Sequence, residues 1–141
     1  MLSDIEKADA AFSRYIRLRD TNEYGYGRCI ETGQRIFYKR NQSTGKMESN
    51  CDAGHYHTRA ILTLRFNEAN VNAQLSTNNR SGKSFKYMRQ NIARKFGQDI
   101  VDWLDSMAKK FGNGDYEEPD YISIQKYYNQ KSEELLKKKM F

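Results

Sequence analysis

The chain has 141 residues, with 24 Lys and Arg against 18 Asp and Glu for a formal net charge of +6, and its pI is about 9.3. That length suits one domain with helical additions at its ends. No run approaches the ~20 apolar residues that span a bilayer, and the opening MLSDIEKADAAF lacks the basic and apolar regions of a signal peptide, so a soluble, cytoplasmic protein with no membrane partner is expected. A basic surface draws polyanions, nucleic acid first among them. The 10 Tyr and 7 Phe could stack on unpaired bases or supply core in a chain poor in Leu and Val. Cys29 and Cys51 imply no disulfide framework and are expected to stay as thiols.

Residues 3–19 are predicted to form an amphipathic helix. Ser3 and Glu6 have capping-box spacing, and Ile5, Ala8, Phe12, Tyr15 and Ile16 recur at three- and four-residue steps. Arg14, Arg17 and Arg19 near its end complement the helix dipole and are expected on a solvated face. TNEYGYG (21–27) is loop-like, and a strand at Arg35–Tyr38 follows a turn at Thr32-Gly33. The polar KRNQSTGKMESN (39–50) is expected as an exposed hairpin tip. Residues 50–57 and 61–66 are expected as short strands around a connection.

Helical character is expected from about Asn78 onward, broken at Gly82 and Gly97. Phe85, Met88, Ile92 and Phe96 form one stripe; Ile100, Val101, Leu104, Met107 and Phe111 form the next. GNGDYEEPD is a linker, and a last helix is expected over about 120–139, with Glu133→Lys137 and Glu134→Lys138 at helpful i,i+4 spacing. That helix could pair subunits, grip DNA or simply pack, and packing is the default. The fold class is α+β, mainly helical, divided as 1–27 (N-terminal helix and loop), 28–96 (a small β-containing core) and 97–141 (C-terminal helices) within one compact domain.

Two segments carry candidate chemistry: DAGHYHTR (52–59) and LRFNEANVNAQLSTNNRSGK (64–83). Histidine is the side chain best poised to deprotonate water near neutral pH. An Asp and an amide oxygen can join it around a hard cation, which suffices for phosphodiester hydrolysis. By themselves such residues more often stabilise a hydrogen-bonded loop than catalyse.

FSRYIRLRD (12–20), CIETG (29–33), DAGHYHTR (52–59), LRFNEANVNAQ (64–74) and NRSGK (79–83) together resemble, in this order, the NinG/Rap proteins of lambda-like phages. The resemblance implies an HNH-type ββα-metal core and a metal-dependent endonuclease acting on branched recombination intermediates such as Holliday junctions and D-loops. It puts the family's three site elements on His55, Asn70 and Asn79. His55 would be the general base and Asn70 would shape the hairpin. Asn79, with Asp52, would hold one divalent cation, Mg²⁺ or Mn²⁺. Asp52 and His55 alternate on a regular strand, so their convergence needs a bulge or turn. His57, expected on the face of His55, could be an accessory ligand, a phosphate contact or a surface histidine. Arg59, Arg65, Arg80 and Lys83 flank the site as candidate phosphate contacts.

Family members usually carry CxxC twice around a structural zinc. Here those slots read Cys29, Thr32, Leu75 and Asn78. One ligand of four remains, so no structural zinc is expected, and Leu75 points to apolar packing in its place. A catalytically idle DNA-binding or partner-binding protein of the same fold is the alternative to an active nuclease. A regulatory protein binding a host factor has no positive signal beyond size and charge. Coordinated cutting of a junction would suit a homodimer, but no heptad supports one.

Overall fold

The chain enters its first helix, α1 (Asp4–Arg19), through the full capping box: Ser3 Oγ accepts from the Glu6 amide and the Glu6 carboxylate accepts from the Ser3 amide. The computed structural model describes residues 1–77, 85–112, 114 and 117–141. Ala8, Ala11, Phe12, Ile16 and Leu18 form the buried stripe of α1. It packs along the last helix, α5 (Tyr121–Leu136), where the Phe12 and Tyr128 rings meet edge to face at 4.7 Å. Glu133 bridges to Arg14 of α1 at 2.7 Å rather than to Lys137.

The arginines at the end of α1 do not form the expected solvated face. The Arg17 guanidinium lies over the Tyr38 ring, 4.3 Å from its centroid. Arg19 is largely buried and donates to the Glu68 and Val71 carbonyls, to Asn72 Oδ1 and to Asp20. Its planar fork satisfies several acceptors at once, which a solvated cation would leave to water. Lys139 folds back from the C-terminus and donates to the Leu18 and Thr21 carbonyls, both at 2.7 Å, closing the end of α1.

Two small antiparallel sheets follow. The first is the meander β1 (Tyr26–Arg28), β2 (Arg35–Arg40) and β3 (Met47–Ser49). The polar stretch read as a hairpin tip is therefore a shorter turn plus a third strand, since β2 runs on to Arg40. The second sheet pairs β4 (Cys51–His55) with β5 (Val71–Leu75), from Cys51↔Leu75 to His55↔Val71, with no bulge.

The expected strand at 61–66 is instead a short helix, α2 (Leu62–Arg65), with Leu64 fully buried. The true partner strand was obscured by its composition. Val71, Asn72, Ala73 and Gln74 are all buried, so both faces of β5 are covered. The polar Asn72 and Gln74 face Lys95 and Glu31 rather than solvent.

Two helices complete the core: α3 (Phe85–Phe96) and α4 (Gln98–Phe111), separated by Gly97 at φ 102°. That left-handed backbone suits glycine and breaks the helix at the expected point. Met88, Ile92, Val101 and Leu104 pack with Ile30, Tyr56 and Leu64 into one cluster. Ile100, expected in the stripe of α4, is exposed. With five helices and two small antiparallel sheets among the described residues, the fold is α+β. None of the described helices is long and apolar enough to cross a membrane.

Candidate active site

His55 ends β4, where pairing with β5 stops and the chain turns towards α2. Its Nε2 lies 3.0 Å from the backbone carbonyl of Arg65. A carbonyl only accepts, so this contact puts the ring proton on Nε2 and leaves Nδ1 as the basic nitrogen. Burial pushes the His55 pKa below its ordinary value; the bond to the Arg65 carbonyl opposes that, and the nearby Arg59 charge adds to the lowering. The ring is accordingly neutral near pH 7, the form that can take a proton.

Asn70 is completely buried at the start of β5 and spends its amide on the connection. Its Oδ1 accepts from the His57 amide at 2.9 Å, and its Nδ2 donates to the carbonyls of His57 (3.0 Å) and Leu64 (3.1 Å). One side chain thus ties the segment after His55 to the helix that carries Arg65. The Leu64 carbonyl also accepts from the Asn67 amide at 3.1 Å, whereas the His57 amide and carbonyl lie beyond the end of the strand and are served by Asn70.

A cleft of about 560 Å³ runs beside β4, lined by Asp9, Phe12 and Ser13 of α1 and by Asp52, His55 and Arg59 among others. Asp52 and His55 share it although the strand between them is regular. The ladder from Cys51 to His55 carries no bulge, and the two residues stand three apart on it. Asp52 Oδ1 accepts from Ser76 Oγ at 2.9 Å. Among the described residues no group of three His, Cys, Asp or Glu is disposed to hold a metal. Asn79, Arg80 and Lys83 lie outside the described residues.

The strand ends at His55, so the two-residue alternation that would set His57 beside it stops short. The His57 ring goes instead to α4, with Nε2 2.8 Å from Asp105 Oδ1. The Tyr56 hydroxyl donates to the same oxygen at 2.7 Å, and Arg89 of α3 donates to the other. Burial would raise the Asp105 carboxyl, but the bonds from Tyr56, His57 and Arg89 outweigh it and hold its pKa low. Tyr56 is pushed up to about 12, first by burial and then by that carboxylate.

The candidate phosphate contacts divide. Arg59 is exposed on the cleft. Arg65 is not: its guanidinium forms a two-pronged pair with Asp9 and also donates to the Arg59 carbonyl. Asp9 thereby joins the site from α1, a residue that sequence reasoning missed. It sits between Ala8 and Ala10, and nothing in that local pattern marks it.

At the positions where the resemblance implied zinc ligands, Cys29 is buried and its Sγ accepts from the Leu75 amide at 3.3 Å. Leu75 packs on the cluster of Leu18, Cys29, Ile36, Tyr38, Cys51 and Ala73. Thr32 bonds locally to Gln34, and Asn78 lies outside the described residues.

The family model described as the bacteriophage lambda NinG protein matches residues 3–139, and the chain belongs to that family. No curated protein and no solved structure matches it.

Proposed function

We propose that this member of the NinG family is a metal-dependent endonuclease that cuts branched DNA, with His55 as its general base. Family membership ties the chain to phage recombination, and one observation carries the finer reading. His55 Nε2 is committed to the Arg65 carbonyl in a cleft that also presents Asp52. That arrangement supplies what hydrolysis needs from a base: a neutral imidazole, a fixed tautomer and a fixed ring.

Nδ1 of His55 takes a proton from water as the water oxygen bonds to phosphorus and the bond from phosphorus to the 3′ oxygen breaks. Asn70 acts at one remove, keeping the turn after His55 and the Leu64–Arg65 segment in register. Arg59, exposed among the residues lining the cleft, would meet a phosphate there. The carboxylate of Asp52 is a hard oxygen donor on the same cleft, which suits Mg²⁺ or Mn²⁺, and Asp52 with Asn79 would hold that ion. When bound, the cation would polarise a phosphate oxygen and stabilise the leaving 3′ oxygen.

The test is incubation with a synthetic four-way junction and a linear duplex in Mg²⁺, Mn²⁺ or EDTA. Metal-dependent cutting that favours the junction is expected. Junction binding with no cleavage in any metal would leave the idle, DNA-binding alternative standing instead.

A further inference from the structure

The outer face of the three-stranded meander carries an arrangement that folding alone does not favour. Arg28 of β1 and Arg35 of β2 stand directly opposite each other in the register. Like charges at paired positions repel and weaken a two-strand ladder. Both side chains belong to exposed residues, and neither forms an ion pair with a carboxylate among the described residues.

The neighbouring positions add to the charge rather than cancel it. Tyr26 stands opposite Phe37, so Arg35 and Lys39 flank it diagonally on the same face. The Arg35 guanidinium lies over the Tyr26 ring at 3.9 Å, while Lys39 Nζ sits 4.8 Å from the ring centroid and donates to the Tyr26 hydroxyl at 2.6 Å. One aromatic ring thus holds two cations close together. The single carboxylate on these strands, Glu48, faces Lys39 in the register but accepts from Asn41. Beside this face, Asn22, Tyr26, Gly27, Arg28 and Arg35 line a shallow groove of about 350 Å³.

We infer that the Tyr26, Arg28, Arg35 and Lys39 face of the meander binds the phosphodiester backbone of a DNA arm, separately from the His55 cleft. Paired guanidiniums with planar, forked donors suit successive phosphates, and an anion between them turns the repulsion into attraction. The meander leads through Asn50 straight into β4, so this surface and the cleft belong to adjoining sheets. Two separate contacts with the backbone would let the protein engage more than one arm of a branched substrate. The inference rests on DNA as the partner but not on cleavage.

The test is equilibrium binding of a fluorescent four-way junction, in EDTA, as a function of salt. Arg28→Ala/Arg35→Ala is expected to weaken binding severalfold and to lower the slope of log K against log salt by about two, one for each lost phosphate contact. Lys109→Ala/Lys110→Ala removes two exposed cations from α4 and is expected to leave affinity and slope near those of the parent. A thermal melt checks that each variant is folded. An unchanged slope in a folded Arg28→Ala/Arg35→Ala protein would overturn the proposal, as would an equal loss in the lysine control. Because EDTA suppresses metal-dependent cutting, an absence of nuclease activity would leave this result intact.

Discussion

The Nε2 of His55 and the backbone carbonyl of Arg65 lie 3.0 Å apart, although ten residues of chain separate them. The contact is held from both ends. Asn70 ties the Leu64 carbonyl to the His57 backbone, and Asp9 grips the Arg65 guanidinium from α1. The orientation of the imidazole is therefore a property of three elements meeting, not of the DAGH segment alone.

The first expected consequence concerns pH. Burial favours neutral His55, so its folded pKa lies below the ordinary 6.5. A base must be unprotonated, so the acid limb of the cleavage rate is expected below pH 6.5. Linkage has the same sign: the unfolded chain binds the proton more readily. This contribution to stability is full above about 6.5 and is lost as pH falls through the folded value. A pH–rate profile under single-turnover conditions measures the limb. One centred well above 6.5 would remove His55 from the role of base.

Asn70 offers a stability test that needs no substrate. Asn70→Ala would strip its side-chain partner from the His57 amide and carbonyl and remove one of the bonds to the Leu64 carbonyl, so a loss of about 2–4 kcal/mol is expected in urea unfolding. Asn70→Asp keeps an acceptor for the His57 amide but removes both donated bonds and buries a charge, so it is expected to be at least as harmful. A loss below about 0.5 kcal/mol, within the range of an ordinary surface change, would contradict the pinning role.

Gly54 stands next to His55 on β4, paired with Asn72. A Cβ there would stand 2.1 Å from Gln74 Oε1 and 2.9 Å from Gln74 Cβ. Gln74 donates to the buried Glu31, so Gly54→Ala is expected to push it off that partner and cost about 1–3 kcal/mol. A denaturation midpoint equal to that of the parent would show that Gln74 can yield freely.

The positions of Cys29 and Leu75 give a chelator test. Cys29 and Leu75 meet within an apolar cluster, so the unfolding midpoint is expected to be the same with and without EDTA or a stronger zinc chelator. Elemental analysis of the purified protein checks the same point. Stoichiometric zinc, or a midpoint that falls on chelation, would mean that the ligands lie elsewhere in the chain.

What could be read in the sequence was the local and periodic part. Ser3 and Glu6 announced α1, and the stripes through Met88 and Ile92 and through Val101 and Leu104 announced the helices either side of Gly97. The second hairpin strand escaped because Asn72 and Gln74 put buried polar groups where a two-sided strand would show apolar ones. Ile61–Phe66 looked extended on composition, yet tertiary burial of Leu64 selected a helical turn. Arg19 and Arg65 read as surface cations because their acceptors, including Asp20 and Asp9, are set by long-range folding. Of the candidate site, His55, Asp52 and Arg59 meet at one cleft and Asn70 fixes the turn beside it, whereas His57 is drawn away to Asp105.

The most direct measurement of the central claim compares the protein with His55→Ala on a four-way junction, following binding and cleavage in the same Mg²⁺ or Mn²⁺ buffer. Junction binding is expected to be retained while the cleavage rate falls by about 100- to 10,000-fold, the usual contribution of a general base. Cleavage by His55→Ala at the parent rate would contradict the account.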